Sequence, residues 1–167
     1  KTDRYQLDES DISLISTASA LHDIGKIMIP EEILNKPGRL TEEEYATIKT
    51  HTTEGSRILK GLAIGQDEPL VKVAHAICRW HHERWDGGGY PDRLKGDEIP
   101  IAAQVVALAD VYDALTSERC YKQAYSHEKA VDMILHGECG SFNPLLMECL
   151  KESSELLRTE LQRSEYD

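Results

Sequence analysis

The 167-residue sequence is poor in aromatics: Phe, Trp and Tyr make up 6% of it, with a single phenylalanine. Its core must therefore be built mainly from Leu, Ile, Val and Ala. It also lacks a cysteine framework. Cys78, Cys120, Cys139 and Cys149 show no C-x-x-C spacing and no mini-domain density, so thiols in a reducing compartment are expected. No apolar run reaches the roughly 18 residues of a membrane span and no signal peptide is evident, which predicts a cytoplasmic chain. Basic charge is scarce: 19 Lys and Arg against 30 Asp and Glu leave a net charge of −11. That balance argues against a surface for nucleic-acid polymers or anionic membranes. A small anionic substrate stays open, because a metal or a few local cations can outweigh the global sign.

What is present is helical periodicity. Ile12, Ile15, Ala18 and Leu21 space a helix from Glu9 to His22, which Gly25 is expected to close in a left-handed conformation. Thr41 and Glu44 form a capping box for one helix running to about Lys60, with Tyr45, Ile48, His51, Gly55 and Ile58 inward. Leu70, Ala74, Ile77 and His81 share the stripe of the next helix. Residues 83–100 carry four glycines and two prolines, a long loop of the kind that is usually functional. Helices resume from Ile101 to about Ser117, after Ser126, and from Asn143-Pro144. With no convincing strand and no repeat, the expected architecture is all-α, a bundle of about six to seven helices forming a single domain over residues 1–167. The opening Lys1-Thr2-Asp3 reads as a cut from a longer chain.

Six metal-ligand types fall at helix ends or on inward faces: His22, Asp23, His51, His81, His82 and Asp110. His22-Asp23 alone is equally well read as a buried histidine held by a carboxylate. Six such residues from four helices have no comparably simple explanation. Mixed nitrogen and oxygen donors suit Fe, Mn, Zn or Ni better than Mg or Ca. Six protein ligands point to two divalent metals, a pair that can activate a hydroxide and clamp a phosphoryl group. His75, His127 and His136 are left as ordinary core or surface histidines.

His22-Asp23-Ile24-Gly25-Lys26, His81-His82-Glu83 and Asp86-Gly87-Gly88-Gly89-Tyr90-Pro91 together resemble the HD-GYP branch of the HD phosphohydrolase superfamily. Ile29-Pro30, Lys36-Pro37-Gly38, Ile99-Pro100, Ala109-Asp110 and Asp113-Ala114-Leu115-Thr116 extend the likeness along the chain. The resemblance implies the all-helical HD phosphohydrolase fold and hydrolysis of cyclic di-GMP to the linear dinucleotide pGpG or to GMP. It implies His22, Asp23, His51, His81, His82 and Asp110 as ligands of Fe or Mn, with Zn or Ni taken up on purification. Asp23 would bridge the metals and orient the hydroxide, and Lys26 would meet the scissile phosphate. Gly89, Tyr90, Pro91, Asp113, Arg119 and Lys122 would contact the nucleotide. A receiver or sensory domain upstream, as in a bacterial response regulator, and a homodimer are the partners expected.

Two departures qualify the likeness. The stretch before His22 reads as too short for the family's upstream helix with its extra histidine ligand, so two metals rather than three and some exposed apolar surface are expected. Cys120 stands where proline is usual, and Asn143 where aspartate is common. Competing readings are a phosphohydrolase for another cyclic dinucleotide and a non-catalytic nucleotide sensor or protein-docking module.

Overall fold

The computed structural model describes residues 4–62, 65–118 and 123–164, and among them no strand occurs. The α-helices are α1 (Glu9–Ser19), α2 (Glu31–Leu34), α3 (Glu42–Lys49), α4 (His51–Gly61), α5 (Pro69–Trp80), α6 (Ile101–Thr116), α7 (His127–Leu135) and α8 (Pro144–Ser164). Short 3₁₀ turns cover Ile24–Met28 and Gly96–Glu98. No described helix is long and apolar enough to cross a membrane.

Local chemistry sets the starts of these helices. Asp8 and Asp11 cap α1 reciprocally, and Thr41 and Glu44 do the same for α3. Pro69 opens α5, where a missing N–H costs nothing. The Ser126 hydroxyl accepts from the Lys129 N–H at α7, and the buried Asn143 accepts from the Leu145 N–H at α8.

Two boundaries differ from expectation. The helix predicted to reach His22 stops at Ser19, so His22 and Asp23 lie on a turn that leads into the first 3₁₀ segment. The single helix predicted from 41 to 60 breaks at Thr50. Around that break the hydroxyls of Thr47, Thr50, Thr52 and Thr53 and the His51 ring all bond preceding carbonyls, an arrangement that bends helices. His51 thus becomes the first residue of α4.

The chain resolves into two compact units, residues 2–107 and 108–167. In the first, α5 packs against α1 and α4, burying Ala18, Leu59, Ala74, Ile77, Cys78, Ala102 and Val106. In the second, Leu115, Ala130, Val131, Ile134 and Leu150 form the core, with α7 against α8. Aliphatic side chains dominate both. Ile12, Ile27 and Met28 are at least half exposed.

Gly25 lies in the first 3₁₀ turn without the positive φ expected of it. Its reason is contact: an added Cβ would lie 1.9 Å from the His51 carbonyl oxygen and 2.5 Å from the Gly55 nitrogen. Gly55 has the reciprocal need, since its Cβ would meet Cys78 Sγ at 2.3 Å. Two glycines let the Asp23 turn lie directly on α4, and α4 directly on α5.

Candidate metal centre

That close seating brings the Asp23 turn to the start of α4 and the end of α5. His51, His81 and His82 form a cluster whose candidate donor atoms all lie within 4.8 Å of one another. His51 Nδ1 is 2.6 Å from the Ile48 carbonyl, and His81 Nδ1 is 3.0 Å from that of Ile77. His22 Nδ1 is 2.8 Å from the Ser19 carbonyl. Carbonyls only accept, so Nδ1 of His51 and of His81 carries the proton and their Nε2 atoms present lone pairs.

Those lone pairs converge. His51 Nε2 and His81 Nε2 are 3.5 Å apart, and they lie 3.4 and 3.9 Å from Asp23 Oδ1. Asp23 Oδ1 is buried and has no hydrogen-bond partner among the described residues. Acceptors without a donor between them are unfavourable in a buried site unless a cation joins them. The donor set therefore fits a divalent metal, which this cluster could hold. The other carboxylate oxygen, Oδ2, faces His22 Nε2 at 3.3 Å and accepts from Lys26 Nζ.

Burial sets the protonation states. Burial, with the neighbouring imidazoles adding to it, lowers the pKa of His81 to about 4 and that of His82 further. Burial likewise lowers that of His51. For Asp23, burial works upward, but hydrogen bonds from His22 and Lys26 and their charges outweigh it, and the carboxyl sits below its usual range. The cluster is thus neutral imidazole plus carboxylate near pH 7, the forms that bind metal. The linkage has one sign. An unfolded histidine takes its proton near 6.5 and folded His81 resists to about 4, so stability is complete above pH 6.5 and falls as pH drops toward 4. The metal-free chain is expected to lose about 2 kcal/mol between pH 7 and pH 5, read from urea midpoints. A midpoint unchanged over that range would show that these histidines titrate normally.

The glycine loop folds back onto the cluster. The Tyr90 ring stacks on His82 with centroids 4.9 Å apart, and Tyr90 N–H donates to the His82 carbonyl. Gly89 is obligatory here, because its Cβ would lie 2.4 Å from Glu83 Cα and 2.4 Å from the Arg84 nitrogen. Pro91 follows through a cis peptide.

Sequence reasoning missed the anchors of this loop. Glu83, 3% exposed, accepts from the Asp92 and Arg93 N–H groups at 2.7 and 3.0 Å. Asp92 in turn receives Arg79 and the Trp80 indole N–H. The available signal was an acid directly after two histidines at a helix end. Glu83→Gln is expected to cost about 1–2 kcal/mol of stability and to loosen the loop while leaving bound metal in place, which thermal melts and metal assay would check. Loss of metal in that variant would show that Glu83 supports the ligands instead.

Asp110 and Asp113 lie on α6 within the unit 108–167, the first half-buried and the second exposed, with Asp113 accepting from Ser117. Arg119, Cys120 and Lys122 lie outside the described residues. His75 bonds Ser56, His127 joins Tyr112 to Ser154, and His136 bonds the Asp132 carbonyl.

A family model described as HD domain matches residues 2–142. The chain belongs to the HD domain family. The HD-GYP likeness of its motifs falls within that match. This HD domain is 45% identical over 151 residues to a "probable cyclic di-GMP phosphodiesterase" of Vibrio cholerae serotype O1, covering 88% of this chain and 34% of the relative. It is 43% identical over 148 residues to a "3'3'-cGAMP-specific phosphodiesterase 2" of the same organism, covering 89% and 28%. It is 41% identical over 144 residues to the "cyclic di-GMP phosphodiesterase response regulator RpfG" of Xanthomonas campestris pv. campestris, covering 86% and 37%. The chain thus spans about a third of the length of these relatives.

Proposed function

We propose that this HD domain is a metal-dependent phosphodiesterase that opens cyclic di-GMP to pGpG or on to GMP. The observation that carries this is the buried convergence of imidazole lone pairs on the unbonded Asp23 oxygen, beside the loop that holds Tyr90. The names of its relatives supply the substrate. His51, His81 and His82 with Asp23 Oδ1 would hold one divalent metal, and His22 with Asp23 Oδ2 the edge of a second; a carboxylate whose two oxygens face different histidines supports a bridging role. Bound Fe or Mn would supply Lewis acidity and a hydroxide nucleophile at neutral pH.

The chain's own residues do the rest. Asp23 orients the attacking oxygen by accepting its hydrogen bond, a task suited to a carboxylate of low proton affinity. Lys26, now paired with Asp23 Oδ2, turns its ammonium to the scissile phosphate as charge develops there. The glycine loop and Tyr90 keep water from the far side of the dinucleotide. Lys26→Met is expected to retain metal and to lower kcat about 100-fold. Metal loss in that variant would reassign Lys26 to holding Asp23 in place.

A receiver or sensory partner upstream belongs to the same reading, supported by the RpfG name. Exposed Ile12, Ile27 and Met28 support a homodimer, and the free thiols of Cys78 and Cys149 a cytoplasmic setting. One observation favours a second substrate: a relative of similar identity is named for 3'3'-cGAMP. The deciding experiment is metal content of the anaerobically purified chain with turnover of both dinucleotides under Mn²⁺ or Fe²⁺. Two metals and cyclic di-GMP turnover are expected. A chain that binds metal and hydrolyses neither dinucleotide would overturn the proposal.

A further inference from the structure

A cavity of about 670 Å³ opens between α3, the start of α4 and the glycine loop. It adjoins the histidine cluster, because Tyr90 lines it while stacking on His82, and Thr50 lines it immediately before His51. Its lining includes Lys49 and Arg93 and, among the described residues, no carboxylate, in a chain of net charge −11. Lys49 Nζ sits 5.1 Å from the Tyr45 ring centroid and 5.8 Å from that of Tyr90, so one ammonium bridges two aromatic faces. Arg93 is exposed, but its backbone is pinned: φ is +59°, and its N–H donates to buried Glu83. Such a volume and mix of flat rings and donors match a small-molecule site.

We propose that this recess receives the distal nucleotide, with Tyr45 and Tyr90 stacking on the purine and Lys49 and Arg93 donating to O6 and N7 of guanine. The inference rests on the cyclic di-GMP reading above and adds the residues that choose the base. Stacking is blind to the base edge, since every base has a π-face. Edge contacts are not. Guanine offers two acceptors where adenine places an amino donor at position 6, so two cations favour guanine and reject adenine. Affinity then comes from the tyrosines and selectivity from the cations.

The test is steady-state hydrolysis of cyclic di-GMP and cyclic di-AMP by the Mn²⁺-loaded chain and its variants. Lys49→Met and Arg93→Gln are expected to raise KM for cyclic di-GMP about 10- to 100-fold with little change in kcat. They should also compress the preference for cyclic di-GMP over cyclic di-AMP. Lys49→Arg should restore much of both. Tyr45→Ala should raise KM for the two dinucleotides alike. All three side chains reach solvent, and circular-dichroism melts matching the parent would exclude misfolding. If the cation variants weaken both dinucleotides equally, the cations meet phosphate rather than a base edge and the inference falls. Unchanged KM, or a pure kcat loss, overturns it as well while leaving the phosphodiesterase reading intact. Wild-type chain that hydrolyses neither dinucleotide would instead sink that underlying reading, and this one with it.

Discussion

Asp23→Ala is expected to strip bound divalent metal from the chain and to abolish phosphodiester hydrolysis in the same step. The two losses share one cause. Asp23 faces the clustered histidines, and its oxygens divide between His51 and His81 on one side and His22 on the other. Removing it takes a negative charge away from neutral imidazoles that would hold a dication. Metal affinity should fall by more than about 100-fold, the upper end of what even an outer supporting group costs. Asp23→Asn keeps the shape and removes the charge, and should lose nearly as much. His75→Ala is the control, because His75 bonds Ser56 away from the cluster and its removal should leave metal content unchanged. An Asp23→Ala chain with full metal and full turnover would refute the assignment of this cluster as the centre.

Gly25→Ala should have the largest effect on the folded state. The new methyl would lie 1.9 Å from the His51 carbonyl oxygen and 2.5 Å from the Gly55 nitrogen. Both are backbone atoms, so no side chain can swing aside, and the Asp23 turn must lift off α4. A loss of about 3 kcal/mol or more is expected, the severe end of overpacking. For a chain of this size that lowers Tm by about 6–12 °C. Metal affinity should fall with it, because lifting the turn carries Asp23 away from His51. Gly61→Ala gives the contrast. It ends α4 with nothing within 4 Å of the added methyl and should be neutral or stabilising by up to about 1 kcal/mol. Equal melting shifts in the two variants would show that the close approach at Gly25 carries no special cost.

The helices and the donor types were legible in the sequence because both are local. Capping boxes at Thr41 and spacing such as Ala74, Ile77 and His81 depend on neighbours three or four residues away, and a resemblance in motif could be read directly. The break at Thr50 was legible in principle, in the run of threonines that compete for helix carbonyls, but the continuous apolar stripe masked it.

What the sequence by itself determined is an all-helical chain carrying histidine and aspartate donors at helix ends and a glycine loop after them. What only the tertiary structure decided is which backbones touch. Gly25 turned out to be glycine for the sake of α4 and not for a left-handed turn. Glu83 became the loop's anchor, and Lys49, two residues before a predicted ligand, came to stand between two tyrosines. The Gly25–His51 and Lys49–Tyr90 contacts join segments tens of residues apart. Their energies depend on ångström separations that no periodicity encodes, because close packing selects among the seatings that the same pattern would permit.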